Sequence, residues 1–492
     1  MTTLDQVLLQ FDVMLRGIPW HWVALLMHLV IAPFSALHAM LYKRDPRAAL
    51  GWVSACLLFP LFGPVAYYLF GINRIRTQAR RLLSPGPRHL HIGYERGLIG
   101  GNVVTNPTSM DTSLQKFANT ADRLTSRPVA INNDVVMLCN GEQAFPAMLE
   151  AIAQAKHYIL LISYLFESDV IGKQFAEALI TAENRGVKVH VIVDGVGERY
   201  SWPRISKKLK RAGIAVASFI PPKLWPPSLS INLRNHRKLL VVDGAVAFTG
   251  GMNISDRHWY DSGSRKRTAD VHFSIRGPVI EQLQVIFNED WRFTTKQNLD
   301  FLKTPESTSG RACCRCISDG PNQDLDKIAL ALIGAISVAE KSIFIQTPYF
   351  LPSREMIVAL QSAALRKVDV RIILPSKSNL RYVDWACRNL LWELLQYDVA
   401  IYFERPPFAH TKLFVVDGVY AQIGSANLDS RSLRLNFELN VELFSAEAVR
   451  PLTSYLERIQ QRSEKTSLQN LDGRPFLTRV RDAACWLFAP YL

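Results

Sequence analysis

The chain has 492 residues, 48% of them hydrophobic, and a formal net charge of +14. That length allows two or three domains around a large core, and the basic excess implies an anionic partner, either nucleic acid or an anionic membrane surface. Seven cysteines, an odd number with Cys313, Cys314 and Cys316 crowded together, exclude a disulfide framework. They show no paired metal-ligand spacing either, so reduced thiols and no bound metal are expected.

In chain order, Trp20 to Leu41 and Ala49 to Phe70 are apolar stretches without Asp, Glu, Lys or Arg. Each has about the twenty residues a membrane-crossing helix needs, and the charged, proline-containing joint 42–47 belongs in water. A signal peptide would have a shorter apolar core and no second span at once behind it. Residues 1–73 are therefore expected to form a two-helix transmembrane hairpin. Arg16, Arg74, Arg76, Arg80 and Arg81 against Lys43, Arg44 and Arg47 place the termini and the remaining chain on the cytoplasmic side.

Residues 74–131, rich in Pro, Gly and polar residues, read as a linker. A βα rhythm follows: strand Val135 to Leu138, helix Ala144 to Gln154, strand Tyr158 to Ser163, helix Phe175 to Asn184, strand Val187 to Val193. This rhythm implies a parallel or mixed sheet flanked by helices. It returns with Ala335 to Ala339, a helix from Met356 to Leu365 and a strand from Val368 to Leu374. The divisions expected are 132–310 and 311–492. Two segments stand apart. The proline-rich stretch Pro221 to Ser228 reads either as a loop touching lipid or as a rigid turn. Phe476 to Leu492 mixes arginines with aromatic residues, and docking on the core is preferred to an interfacial helix.

One motif is written twice. His236-x-Lys238-x4-Asp243 returns as His410-x-Lys412-x4-Asp417. Seven positions past each Asp, Gly250-Gly251 and Gly424-Ser425 begin. Asn253 and Asn427 each lie seventeen positions past their histidine. Asp270 and Glu438 follow thirty-four and twenty-eight positions past it. Asp243-Gly244 and Asp417-Gly418 read as hairpin turns, and strand alternation puts His236 with Lys238, and His410 with Lys412, on one face.

These groups suit a phosphodiester. Lys238 and Lys412 neutralise its oxygens, and Asn253 and Asn427 donate amide hydrogen bonds to them. Gly251 admits close backbone approach and Ser425 adds a hydroxyl. One neutral imidazole attacks phosphorus while a second, protonated one serves the leaving group. Asp270 and Glu438 are candidates to fix a histidine tautomer. Asp243 and Asp417 complete the motifs; beside their turns they have either a structural or a chemical role.

The two motifs resemble the signature of the phospholipase D superfamily. Asn232-Leu-Arg-Asn-His-Arg-Lys238, Phe248-Thr-Gly-Gly-Met-Asn253, Gln346-Thr-Pro-Tyr-Phe-Leu351 and Gly424-Ser-Ala-Asn-Leu-Asp429 look like bacterial cardiolipin synthases. The resemblance implies an α/β fold: a duplicated phospholipase D-like domain, related by a pseudo-twofold axis, behind the hairpin. It implies a multi-pass enzyme of the bacterial inner membrane that moves a phosphatidyl group between two phosphatidylglycerol molecules through a phosphohistidine and releases glycerol. It also implies that Asp270 and Glu438 each serve their own motif. No cofactor, metal or nucleic acid is implied. A phospholipase D-type hydrolase differs only in the acceptor. A nucleic-acid phosphodiesterase would suit the charge, but it has no use for the hairpin.

Overall fold

The computed structural model describes residues 20–43, 46–59, 61–71, 112–222, 233–259, 267–300, 302, 305, 308–320 and 326–489. The chain divides into two units, Met1–Gln78 and Ala79–Leu492.

In the first unit the helices Trp20–Tyr42 and Pro46–Leu58 pack through Ala39, Cys56 and Tyr67, with His38 Nδ1 2.7 Å from the Tyr67 hydroxyl. The expected second span over 49–70 is not one helix. It stops at Leu58, Leu61 takes φ 57°, and a short helix restarts at Phe62–Ala66. Pro60 supplies no N–H to carry a helix through. Among the described residues no helix is long and apolar enough to cross a membrane, so the two-span hairpin is not supported.

The second unit is built on one sheet. Its first half supplies β1 (Ala130–Cys139), β2 (Tyr158–Ser163), β3 (Lys188–Asp194), β4 (Ala215–Phe219), β5 (Leu239–Val242), β6 (Val246–Gly250), the short β7 (Thr268–Ala269) and β8 (Val271–Arg276). Its second half supplies β9 (Ala312–Asp319), β10 (Ser342–Gln346), β11 (Phe350–Leu351), β12 (Asp369–Pro375), β13 (Ala400–Glu404), β14 (Phe408–Ala409), β15 (Leu413–Val416), β16 (Tyr420–Gly424), β17 (Leu428–Asp429), β18 (Glu438–Phe444) and β19 (Glu464–Lys465).

Fifteen of these strands form a continuous sheet, in the order β19-β13-β12-β10-β15-β16-β18-β9-β1-β8-β6-β5-β2-β3-β4. Read outward from the antiparallel β1–β9 pair, the two sides repeat one topology as far as β4 and β13, and β19 adds an antiparallel edge strand to the second side alone. β2, β3 and β4 run parallel, as do β10, β12 and β13, and helices such as Val170–Asn184 and Arg354–Leu365 make the crossovers. Strands covered on both faces read as unbroken apolar runs; all six residues of β2 are buried. The duplicated α/β fold with a mixed sheet is thus observed, but its halves share one sheet.

Thr112–Thr125, inside the expected linker, is a helix. Leu114, Phe117, Ala118 and Ala121 bury its apolar face in the core of the second half, beside Ile328 and Leu332. Arg315, wholly buried on β9, ties it down by donating to the Ala118 carbonyl (2.8 Å) and to Asp122 (2.5 Å), while its Nε donates to Glu442 (2.6 Å). The proline-rich stretch lies largely outside the described residues, which resume at Leu233.

β5 and β15 start at Leu239 and Leu413, so the two histidines lie just before their strands rather than on them. The aspartates end the same strands. Asp243 (φ 53°) accepts the backbone N–H of Lys156, His157 and Tyr158, each at 2.8 Å. Asp417 (φ 53°) accepts those of Glu340, Lys341 and Ser342 at 2.7–2.9 Å. Each carboxylate pins the start of the neighbouring strand, at the opposite end of its own strand from the histidine. Their candidacy as catalytic groups is therefore corrected to a structural role. Asp417→Ala should lower unfolding stability by about 1–3 kcal/mol, because the bonds are partly solvated and alanine resists positive φ. Urea unfolding measures the loss, and turnover per folded molecule should be retained.

Candidate active site

Each histidine leaves its own half to find its partners. The His236 N–H donates to the Phe437 carbonyl (2.9 Å), and the Phe437 N–H donates back to the Arg234 carbonyl (2.8 Å). The His410 N–H donates to the Ala269 carbonyl (2.7 Å), where β14 pairs with β7. This backbone exchange delivers the carboxylates. His236 Nδ1 lies 3.0 Å from Glu438 Oε1, and His410 Nδ1 lies 2.9 Å from Asp270 Oδ2. Asp270 and Glu438 therefore fix histidines as expected, but each serves the other half's motif. Both carboxylates are fully buried, while the histidine side chains stay 12% and 11% exposed. With Nδ1 occupied, Nε2 is the ring nitrogen left for chemistry.

Further bonds hold the His236 segment rigid. Arg237 donates to the Glu438 carbonyl (3.0 Å), to Asp290 (2.6 Å) and to the Asp319 carbonyl (3.2 Å). Asp194, wholly buried at the end of β3, accepts the Asn235 N–H at 2.9 Å and the Arg234 guanidinium at 3.3 Å.

Lys238 and Lys412 each donate to the carbonyl of their own histidine at 2.6 Å. Lys412 Nζ also stands 3.0 and 3.1 Å from the two ring nitrogens of His410. Burial lowers Lys238 to about 7 and Lys412 to about 8, the carboxylates resisting in each case. Burial, and then the charges of Lys412 and Lys238, hold His410 well below the usual imidazole range. His236 is lowered by burial, with Glu438 opposing. Burial raises Asp270. Glu438 is lowered against its burial by His236, Lys238 and the Ser425 hydroxyl, so it stays ionised.

Two supporting residues have other tasks than expected. A Cβ on Gly251 would stand 2.5 Å from both Asp270 oxygens, so its bareness makes room for the carboxylate. Ser425 commits its hydroxyl to Glu438 Oε2 (2.5 Å) and accepts the Leu439 N–H (3.0 Å). The Asn253 carbonyl accepts the Leu165 N–H at 3.2 Å, which leaves its NH2 without a protein partner among the described residues. Asn427 donates its NH2 to Ser432 (3.0 Å), and its carbonyl oxygen is buried with no partner among the described residues.

Residues with no site role expected from the sequence wall the site. The Tyr164 ring meets His236 edge-on at 5.1 Å and lies under Lys238 Nζ at 5.6 Å. Tyr349 meets His410 edge-on at 6.4 Å, and its hydroxyl donates to Asn379 (2.7 Å). Each tyrosine follows the strand beside its motif, β2 or β10, a symmetry present in the sequence. His258, given no role there, packs 6.3 Å from the His410 ring; burial lowers it to about 3, so it is neutral. Among the described residues no cluster of His, Cys, Asp or Glu has metal-binding geometry.

Two imidazoles, two ammonium groups and two carboxylates, arranged about a pseudo-twofold axis, define the phospholipase D class of phosphodiester-transfer enzymes. A family model for the cardiolipin synthase, phospholipase D-like domain matches residues 148–291 and 332–460, and one for the phospholipase D-nuclease N-terminal region matches 22–71. A cardiolipin synthase from Geobacillus kaustophilus is 31% identical over 464 residues, 93% of this chain and 92% of that protein. One from Alkalihalophilus pseudofirmus is 32% identical over 460 residues, covering 92% and 90%. The crystal structure of phosphatidylserine synthase from Haemophilus influenzae superposes with a TM-score of 0.60 at 14% identity, over 77% of this chain and all of that one, and so shares the fold. The chain belongs to the bacterial cardiolipin synthase family, and it is a phosphatidyltransferase with a phospholipid substrate.

The exchange of carboxylates has a direct test. Glu438→Gln should cut turnover between roughly 10²- and 10⁴-fold by releasing His236 in the other half. Gly251→Ala, which touches neither histidine, should do the same through Asp270. Steady-state assays on folded protein check both, and near-normal turnover by Gly251→Ala would break the argument. The lysines set an alkaline limit. In the free enzyme they lose charge as pH rises past about 7 and about 8, so kcat/KM should fall there. A bound phosphodiester favours the ammonium forms, so kcat should persist to higher pH. A kcat/KM that is flat to strongly alkaline pH would contradict it.

Proposed function

We propose that the enzyme condenses two phosphatidylglycerol molecules into cardiolipin and glycerol through a phosphohistidine. The observation that carries this is the pair of histidines, each held at Nδ1 by a buried carboxylate and flanked by a buried lysine.

The phosphodiester enters between Lys238 and Lys412, whose charges neutralise its oxygens. Ionised Glu438 on Nδ1 keeps the Nε2 lone pair of His236 free, and Nε2 attacks phosphorus. The P–N bond forms as the P–O bond to glycerol breaks, and the departing alkoxide takes a proton from His410. Burial, and then the Lys412 charge, hold His410 neutral in the free site; the incoming anion offsets that charge, which makes this protonation accessible. The glycerol hydroxyl of a second phosphatidylglycerol then gives its proton to His410 and attacks phosphorus. The P–N bond breaks, and both histidines return to their starting states. Exclusion of water decides between this acceptor and hydrolysis. Asn253 serves the phosphoryl oxygens through its free NH2.

The reading extends to the membrane. The 22–71 segment matches the N-terminal family model, and Phe34, Met40, Leu58 and Phe62 are exposed there by 62–73%. We infer that this unit attaches the enzyme to the bacterial membrane, with the catalytic unit on its cytoplasmic side.

With phosphatidylglycerol, enzyme rapidly denatured at mildly alkaline pH, where the P–N bond survives, should carry a phosphatidyl group on His236 by mass spectrometry, and glycerol should be released. His236→Ala should carry none, and His410→Ala should not turn over. An adduct found on His410 alone would reverse the two roles. Activity should survive thorough chelation, because the lysines supply the positive charge; loss with rescue by one divalent ion would overturn this.

A further inference from the structure

The helix Phe476–Trp486 is built inside out. Its one buried side chain is charged: Asp482 accepts from Arg474 at 2.6 Å and from Arg481 at 2.7 Å. Its outward stripe is apolar. Phe476, Val480, Ala484 and Leu487 recur at helical spacing, with Leu477 and Phe488 along one edge. Leu477 is 79% exposed, Phe476 76%, Leu487 69% and Phe488 62%. A surface helix of a globular domain shows the opposite pattern. Exposed Arg479 and Arg481 border the stripe on its two sides.

The location adds a second argument. This helix packs on the helix Arg381–Leu390, where the Arg481 guanidinium lies 4.2 Å from the centre of the Trp385 ring. Asn379, two residues before that helix, accepts the hydroxyl of Tyr349, which walls His410. The apolar stripe thus connects through one helix to the wall of the active site.

We propose that the helix Phe476–Trp486 and the turn after it are an interfacial membrane-docking element that lays the second half of the catalytic unit on an anionic bilayer. The apolar stripe enters the acyl boundary and Arg479 beside it meets lipid phosphates, as in amphipathic interfacial helices. The charge favours this occupant over a second copy of the chain: the protein carries +14, and a like-charged copy would bring the same arginines against themselves. The proposal rests on the phospholipid-transfer reading only for its purpose, that of holding the site at the surface where its substrate resides.

The test uses the full chain in vesicles of phosphatidylcholine and phosphatidylglycerol doped with a phospholipid bearing a photoactivatable acyl chain. Peptides covering 476–488 should be labelled, as should residues 20–71. The double variant Leu477→Glu/Phe488→Glu should lose the label at 476–488 and keep it at 20–71. Its turnover on vesicle substrate should fall about tenfold or more, while turnover on a short-chain, water-soluble phosphatidylglycerol stays unchanged. An unlabelled 476–488 beside a labelled 20–71 would overturn the proposal, as would a crosslink at this stripe joining two copies. Labelling needs no turnover. Failure of the unaltered enzyme on the short-chain lipid would therefore count against the phosphatidylglycerol reading alone.

Discussion

The structure depends on two buried carboxylates that each half lends to the other. Glu438 and Asp270 are wholly inside the protein, where an unpaired charge costs several kcal/mol, and the histidine that answers each comes from the opposite half. Neither half can complete its own site. The shared sheet through β1 and β9, and the strand ends that bind His236 to Phe437 and His410 to Ala269, hold the halves at the register this exchange demands.

The same burial makes the empty site electrostatically unfinished. Lys238 and Lys412 are depressed because the interior penalises their ammonium forms, and His410 is held neutral beside them. An anionic phosphodiester supplies the missing counter-charge where the dielectric magnifies it. In the mechanism we propose, substrate binding and the arming of the acid–base pair are then one event.

Much of this was legible in the sequence. The duplicated His, Lys and carboxylate pattern identified the groups that meet, and β2 fell on the expected residues. What the sequence hid was direction across space. The family resemblance implied that Asp270 serves His236, but the fold pairs it with His410, because a strand end returns the second motif to the first half. Asp243 and Asp417 left a structural and a chemical role open, and they act as clamps on backbone N–H groups. Gly251 and Ser425 read as phosphate contacts, yet both serve a carboxylate. The second apolar span satisfied a composition rule, and its prolines decided its shape instead. The helix Thr112–Thr125 was lost among polar residues, its four core-facing side chains too few to outweigh them.

Gly251 with Asp270, and Ser425 with Glu438, solve one spatial problem in two ways. The shorter carboxylate sits where a Cβ would be, and the longer one reaches past a serine that holds it. Each of the two positions is therefore coupled to its own carboxylate. A serine at 251 is barred while Asp270 remains, and a glycine at 425 would strand Glu438 without its hydroxyl. One solution therefore cannot be turned into the other by a single substitution: both members of a couple have to change together.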